Sequence, residues 1–335
     1  MPEYRESLIA GETIRHFLSS QPLGSLAVLN LWIDPTDKEV KKAPKTSCAS
    51  RGYVYIMDDA SKVKRGQLNS QKQVYPSAFA NSGLPISQCG LCLVDVEFSA
   101  RNVILNLDRQ WLQIQLFTHT CAQIYTRVDW EQGICCVDNW KRGFKIGLAI
   151  EFQDYVLAFT TMDNIIAAHW SLTRSGLPAQ HPDVFTEFHA FLVGLVGWMK
   201  SREGKNRDRP AMTVVRQASD IFPGVGVYSV CEIFNKAALS PSLTEDEVFT
   251  SASRTARLCY AFYQFAAEAH ANLWTFVKRC LHGYTLAADI NQRMKYTDQL
   301  DVWGKQCMQL LPRMHTLLEK FEVQLFSALF YPDVS

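Results

Sequence analysis

Seven short apolar segments follow one another between residues 89 and 161: LCLVDVEF, NVILNL, WLQIQLF, QIYTRVDW, GICCVDNW, FKIGLAIEF and YVLAFTT. Turn formers separate them, at Asp108-Arg109, Glu131-Gln132-Gly133, Lys141-Arg142-Gly143 and Gln153-Asp154. No helical pattern stands between them. Short strands at this spacing predict an antiparallel sandwich or barrel and exclude a doubly wound parallel sheet, which needs a crossover helix between strands. SLAVLNLWIDP and YVYIMDD predict two earlier strands, and Leu8, Ile9, Ile14, Phe17 and Leu18 predict a short helix over residues 4–18.

After Thr161 the apolar period lengthens. DNIIAAHW reads as a helix opening at Asp163, and Phe185, Phe188, Leu192, Leu195 and Met199 share one helical side. Thr244 and Glu247 form a T-x-x-E capping box before a pattern that runs to about Leu281, too long for one uninterrupted helix. A last helix follows Pro312. The fold expected is α+β: a β-rich domain with a short N-terminal helix over 1–160, then an α-helical domain over 161–335. A basic interhelical loop lies at 200–210.

At 335 residues the chain has the length of two ordinary domains. Its 34 basic and 33 acidic side chains nearly cancel, which excludes a global attraction to nucleic acid or membrane and leaves local patches to supply any. The opening MPEYRESLIAGETIRHF has no apolar core of a signal peptide, and the longest apolar run, FLVGLVGWM, is far short of the ~20 residues of a membrane span. Ten scattered cysteines then predict reduced thiols in a cytoplasmic or otherwise intracellular protein.

Motifs that carry chemistry are sparse. Cys89-Gly90-Leu91-Cys92 leads into a strand rather than a helix, so no helix dipole activates a thiol there. As a zinc site, Cys89 and Cys92 need two more ligands. Cys135 and Cys136, adjacent on a predicted strand, point to opposite faces. No nucleophile elbow, zinc-protease motif or phosphate loop is found. Gly224-Val225-Gly226 is a fragment of a dinucleotide fingerprint, better read as an interhelical turn. No cofactor is expected.

Cations cluster in loops: Lys200, Arg202, Lys205, Arg207 and Arg209; Lys62, Lys64 and Arg65; Lys38, Lys41, Lys42 and Lys45; and Lys141, Arg142 and Lys145 beside Trp140. Cations at a groove with an aromatic nearby suit RNA or single-stranded DNA, and the cations alone suit an acidic partner. Replacing Lys205, Arg207 and Arg209 by Ser is expected to leave folding nearly untouched. The apolar Phe321, Leu325, Phe326, Leu329 and Phe330 predict self-association into a homo-oligomer. The function expected is a non-enzymatic binding or assembly protein, analogous in layout alone to viral structural or nucleic-acid-handling proteins. The alternative is a thiol- or zinc-dependent enzyme around the cysteine-bearing strands and His119.

Overall fold

Helix α1, Tyr4–Ser19, ties the molecule together because its apolar residues divide between two cores. Tyr4 and Leu8, one turn apart, enter the core of the C-terminal helices, while Ala10, Ile14, Phe17 and Leu18 enter that of the β-rich part. The computed structural model describes residues 3–22, 24–57, 63–65, 72–76, 78–79, 84–117, 120–163, 165–306 and 312–321.

The β-rich part starts with β1 (Leu26–Ala27), β2 (Asn30–Ile33) and β3 (Tyr55–Ile56), with α2 (Asp37–Lys42) between the last two. A small hairpin follows, β4 (Lys64–Arg65) with β5 (Lys72–Gln73). Next come β6 (Cys92–Leu93), β7 (Asp95–Phe98), β8 (Asn102–Asn106), β9 (Trp111–Gln115) and β10 (Cys121–Thr126). Strands β11 (Lys145–Glu151), β12 (Tyr155–Thr161) and β13 (Ala167–Ser171) complete it. One antiparallel sheet has the order β10-β12-β11-β2-β3, the other β13-β9-β8-β7. Leu31, Leu105, Ile114, Leu148 and Phe159, drawn from both sheets, share one core with α1.

Three expectations need correction. QIYTRVDW and GICCVDNW do not form two strands. The first ends at Thr126, whose hydroxyl caps α3 (Arg127–Asp129), and a π-helical turn, Trp130–Cys135, follows. That turn lays Trp130 and Ile134 on the outer face of the sheet, over Ile146, Ala149, Val156 and Ala158. Coverage on both faces explains why β11 and β12 read as continuous apolar runs rather than alternating ones. Asp138 then caps α4 (Asn139–Arg142). Lastly, Ala167–Ser171 is a strand paired with β9 rather than a helix, so strand structure continues past Thr161.

The C-terminal part is helical: α5 (Phe188–Ser201), α6 (Ala211–Gln217), α7 (Val227–Lys236), α8 (Glu245–Phe249) and α9 (Ala252–Glu268). The expected capping box at Thr244 and Glu247 starts α8. The expected interruption of the long pattern comes where Ser251 caps α9, and again at a π-helical turn, Ala269–Leu273, before α10 (Trp274–Val277). A short hairpin, β14 (Leu281–His282) with β15 (Thr285–Leu286), leads to α11 (Ile290–Asp298), and α12 spans Pro312–Phe321. Phe191, Phe222, Phe234, Phe249, Phe262 and Phe265 fill this core. Among the described residues no helix is long and apolar enough to cross a membrane.

Candidate active site

The first turn of α1 carries three ionisable side chains, Glu3, Arg5 and Glu6, into the seam between the two parts. The first turn of α7 receives the two carboxylates, while the Arg5 guanidinium lies over the Phe265 ring of α9. Glu3, only 5% exposed, accepts hydrogen bonds from the backbone N–H of Tyr228 (3.2 Å) and of Ser229 (2.8 Å). A helix N-terminus offers unpaired N–H donors and the positive end of the dipole, so a carboxylate sits favourably there. Glu6 accepts from the Glu3 N–H (2.7 Å) and from the Tyr228 hydroxyl (2.9 Å). Burial pushes the Glu6 carboxyl above the ordinary carboxylate range, outweighing those two hydrogen bonds, and the charge of Glu3 adds to the rise.

The turn between α6 and α7 is shaped to admit these residues. Gly224 has φ +75° and accepts from the Tyr4 N–H at 2.8 Å; a Cβ there would stand 3.0 Å from the Tyr4 Cα. At Gly226 a Cβ would fall 2.2 Å from the Glu3 Oε1. Gly224-Val225-Gly226 is thus an interhelical turn, as expected, and its glycines leave room for a buried acid rather than for a dinucleotide.

Tyr4 anchors the same segment from the other side. Its hydroxyl donates to Asp183 (2.9 Å) and lies 3.1 Å from His270 Nε2, within the π-helical turn. His270 stacks on Phe185 with ring centroids 4.5 Å apart. Burial and the Asp183 charge push the Tyr4 hydroxyl far up, and burial pulls the His270 imidazolium below its ordinary value.

Several cations expected to bind a partner are engaged within the chain. Arg202 grips the fully buried Glu245 through two bonds of 2.8 and 2.6 Å, and Arg207 reaches both Glu245 (3.5 Å) and Asp246 (3.3 Å). Arg209 bonds Gln217 at 2.7 Å. Arg142 is buried against Asp34, and Arg65, 3% exposed, pairs with Glu39 at 3.0 Å. Lys141 pairs with Asp138 and Lys145 with Asp37. Lys64, Lys200 and Lys205 are exposed. Lys62, and Leu325, Phe326, Leu329 and Phe330 of the expected self-association face, lie outside the described residues, as does the side chain of Phe321.

Of the residues named for the cysteine-centred alternative, His119 lies outside the described residues. Among the described residues no three His, Cys, Asp or Glu side chains group as metal ligands. Cys89 is buried and donates to the Pro85 carbonyl, and burial raises its thiol. Burial also pushes Cys121 up to about 11 and Cys135 and Cys259 to about 12, so these thiols stay protonated at neutral pH.

No family model matches the chain, and no curated protein does. Solved structures share its fold. A Lactococcus lactis Fpg, complexed with DNA containing an abasic site, superposes with a TM-score of 0.53 at 13% identity, covering 90% of this chain and 88% of that one. MutM in complex with DNA containing carbocyclic 8-oxo-G gives 0.52 at 13% identity, covering 91% and 88%. A second Lactococcus lactis structure, described as formamido-pyrimidine DNA glycosylase bound to DNA with an abasic site, gives 0.52 at 12% identity over the same shares. They too place a β-rich part before C-terminal helices. The expectation of a non-enzymatic structural or assembly protein is overturned by this likeness, because the fold is that of DNA glycosylases, which are enzymes.

Proposed function

We propose that this chain is a DNA-repair enzyme of the glycosylase type, acting on damaged bases in DNA at the seam between its two parts. The observation that carries this reading is the pair of carboxylates, Glu3 and Glu6, delivered by α1 onto the N-terminus of α7 in a fold shared with DNA glycosylases. Cleaving a glycosidic bond calls for one group that gives a proton and one that stabilises charge or receives a nucleophile's proton. Glu6, its carboxyl raised by burial, is the member of the pair that holds a proton more readily than an ordinary carboxylate. Glu3, fixed by two backbone N–H groups, is the carboxylate partner. The Tyr228 hydroxyl keeps Glu6 in place. An enzyme that works on a base takes it out of the stack, which suits a recessed site between two parts. Lys200 and Lys205 are candidates for phosphate contacts, together with Lys278, Arg279, Arg293 and Lys295, which are exposed around α10 and α11.

The test is base release from duplexes carrying single lesions, measured under single-turnover conditions. E3Q and E6Q are each expected to lose about 100- to 10,000-fold in rate while retaining affinity for a duplex with an abasic site. Wild-type rates in both variants would reject these residues as the acid–base pair.

A further inference from the structure

Two cation clusters far apart in the sequence meet on one surface of the β-rich part. One is carried by α2 and the 3₁₀ turn Ala49–Arg51 that follows it, the other by α4. The Asn139 N–H donates to the Gly52 carbonyl at 3.0 Å, and buried Arg142 pairs with Asp34 at the end of β2, so α4 is fixed beside α2. Lys38, Lys41, Lys42, Lys45, Arg51 and Lys141 are all exposed there. The acids nearby are engaged within the fold. Thr36 and Glu39 cap α2, Glu39 also pairs with Arg65, and Asp138 caps α4. Asp37 faces Lys145 at 3.9 Å. Lys141 reaches Asp138 at 3.4 Å yet keeps its side chain 80% exposed. In a chain of net charge +1 this surface therefore concentrates positive charge. Among these cations Trp140 is 59% exposed. Its ring is seated on Gly52, where a Cβ would stand 2.5 Å from the Trp140 Cζ3.

We propose that this face holds an unpaired nucleic-acid strand, with a base stacked on Trp140 and the flanking phosphates on the lysines of α2 and α4. This contact goes beyond the glycosylase reading and uses neither Glu3 nor Glu6. The make-up of the face selects the ligand. An acidic peptide would satisfy the lysines but needs no flat ring among them. A duplex offers phosphates but keeps the faces of its bases stacked inside. A single strand presents both, and base–aromatic stacking tolerates any base. The placement agrees. The Ile146 N–H donates to Asp34, Ile146 pairs with Thr160, and Thr160 pairs with Cys121 of β10, the strand on which α1 lies. The order β10-β12-β11-β2 puts three strand spacings, about 15 Å, between that strand and the cations. The face is thus separate from the seam, yet a few nucleotides of one strand would span the two.

The experiment measures fluorescence anisotropy of a labelled oligothymidylate of about 12 nucleotides, and of a lesion-free duplex of the same length, over a range of salt. W140L is expected to weaken single-strand binding by about 5- to 100-fold, the span of one lost stacking contact, and to leave the salt slope as it is. W140F, which keeps a ring on Gly52, is expected to keep most of the affinity. K41S/K42S/K141S is expected to lower the slope of log affinity against log salt by about two, at about 0.7 per phosphate of a single strand. Wild-type single-strand affinity in W140L and in K41S/K42S/K141S would overturn the proposal. Equal losses on the duplex would do the same, making the face a backbone contact. So would binding of a polyglutamate peptide in place of the oligonucleotide, which would assign the face to an acidic protein. E3Q/E6Q is expected to bind the oligothymidylate as the wild type does; binding lost in that variant would move the contact to the seam and overturn the proposal. A wild type that holds the single strand through Trp140 but releases no base would reject the glycosylase reading and uphold this one.

Discussion

Glu6 binds protons differently in the folded and unfolded chain, and the sign follows from its burial. Its folded pKa is raised above the usual 4.5, so between those two values the folded protein holds a proton that the unfolded chain has released. Stability therefore falls as pH rises through that window. Glu3, Tyr228, Tyr296 and Cys121 share the electrostatics of this carboxyl. E6Q is expected to flatten the decline, which urea unfolding between about pH 5 and pH 8 would register; identical slopes in E6Q and wild type would contradict it. His270 runs the other way. Its folded pKa lies below the ordinary 6.5, so the unfolded state takes up protons first on acidification, and stability drops as pH falls below about that value. H270N, which cannot titrate, should lose that acid sensitivity. None of this is visible locally. Glu3 and Glu6 look like ordinary first-turn acids, and the Ser229 N–H that holds Glu3 lies 226 positions along the chain.

At the scale of elements, the turn before α7 and the loop after α5 both changed meaning. The sequence identified Gly224-Val225-Gly226 as a turn, but not the reason for its glycines, which is a carboxylate arriving from α1. G226A should displace Glu3, its Cβ falling 2.2 Å from Oε1, and so reduce activity more than it reduces Tm. Base-excision rate measured beside thermal unfolding would separate the two, and a wild-type rate would argue that Glu3 needs no such seat. The loop at 200–210 read in the sequence as a cluster of cations for nucleic acid or an acidic partner. Arg202 and Arg207 instead close on Glu245, which is fully buried at the start of α8. Removing the partners of a buried charge costs about 3–5 kcal/mol. R202A is thus expected to destabilise the chain by roughly that amount in chemical denaturation, and R207S by a smaller one. The triple replacement of Lys205, Arg207 and Arg209 by Ser loses its expected neutrality for the same reason.

For the whole molecule, near-zero net charge means that the DNA proposed as substrate has only local cations to hold it. Each phosphate contact adds about 0.9 to the slope of log affinity against log salt. K200S/K205S should weaken binding uniformly across sequences and lower that slope by up to about two. An unchanged slope would move the contact surface to the cations of α10 and α11.

Elements with a local cause were legible in the chain: α1 from its apolar spacing, α8 from Thr244 and Glu247, the antiparallel strands from their turns, and the order of a β-rich part before helices. Period and capping act over a few residues, so one sequence contains them. The errors came where packing outweighed local pattern. Gly133-Ile134-Cys135 became a helical turn because the outer face of β11 and β12 needed Trp130 and Ile134 as a lid, and Ala167–Ser171 became a strand because the edge of β9 was open. Which charges are buried was decided only by tertiary structure. Burial of Glu3, Arg5, Glu6 and Glu245 depends on donors and rings brought from distant helices, and a carboxylate's neighbours in space, unlike its neighbours in sequence, exist only once the chain has folded.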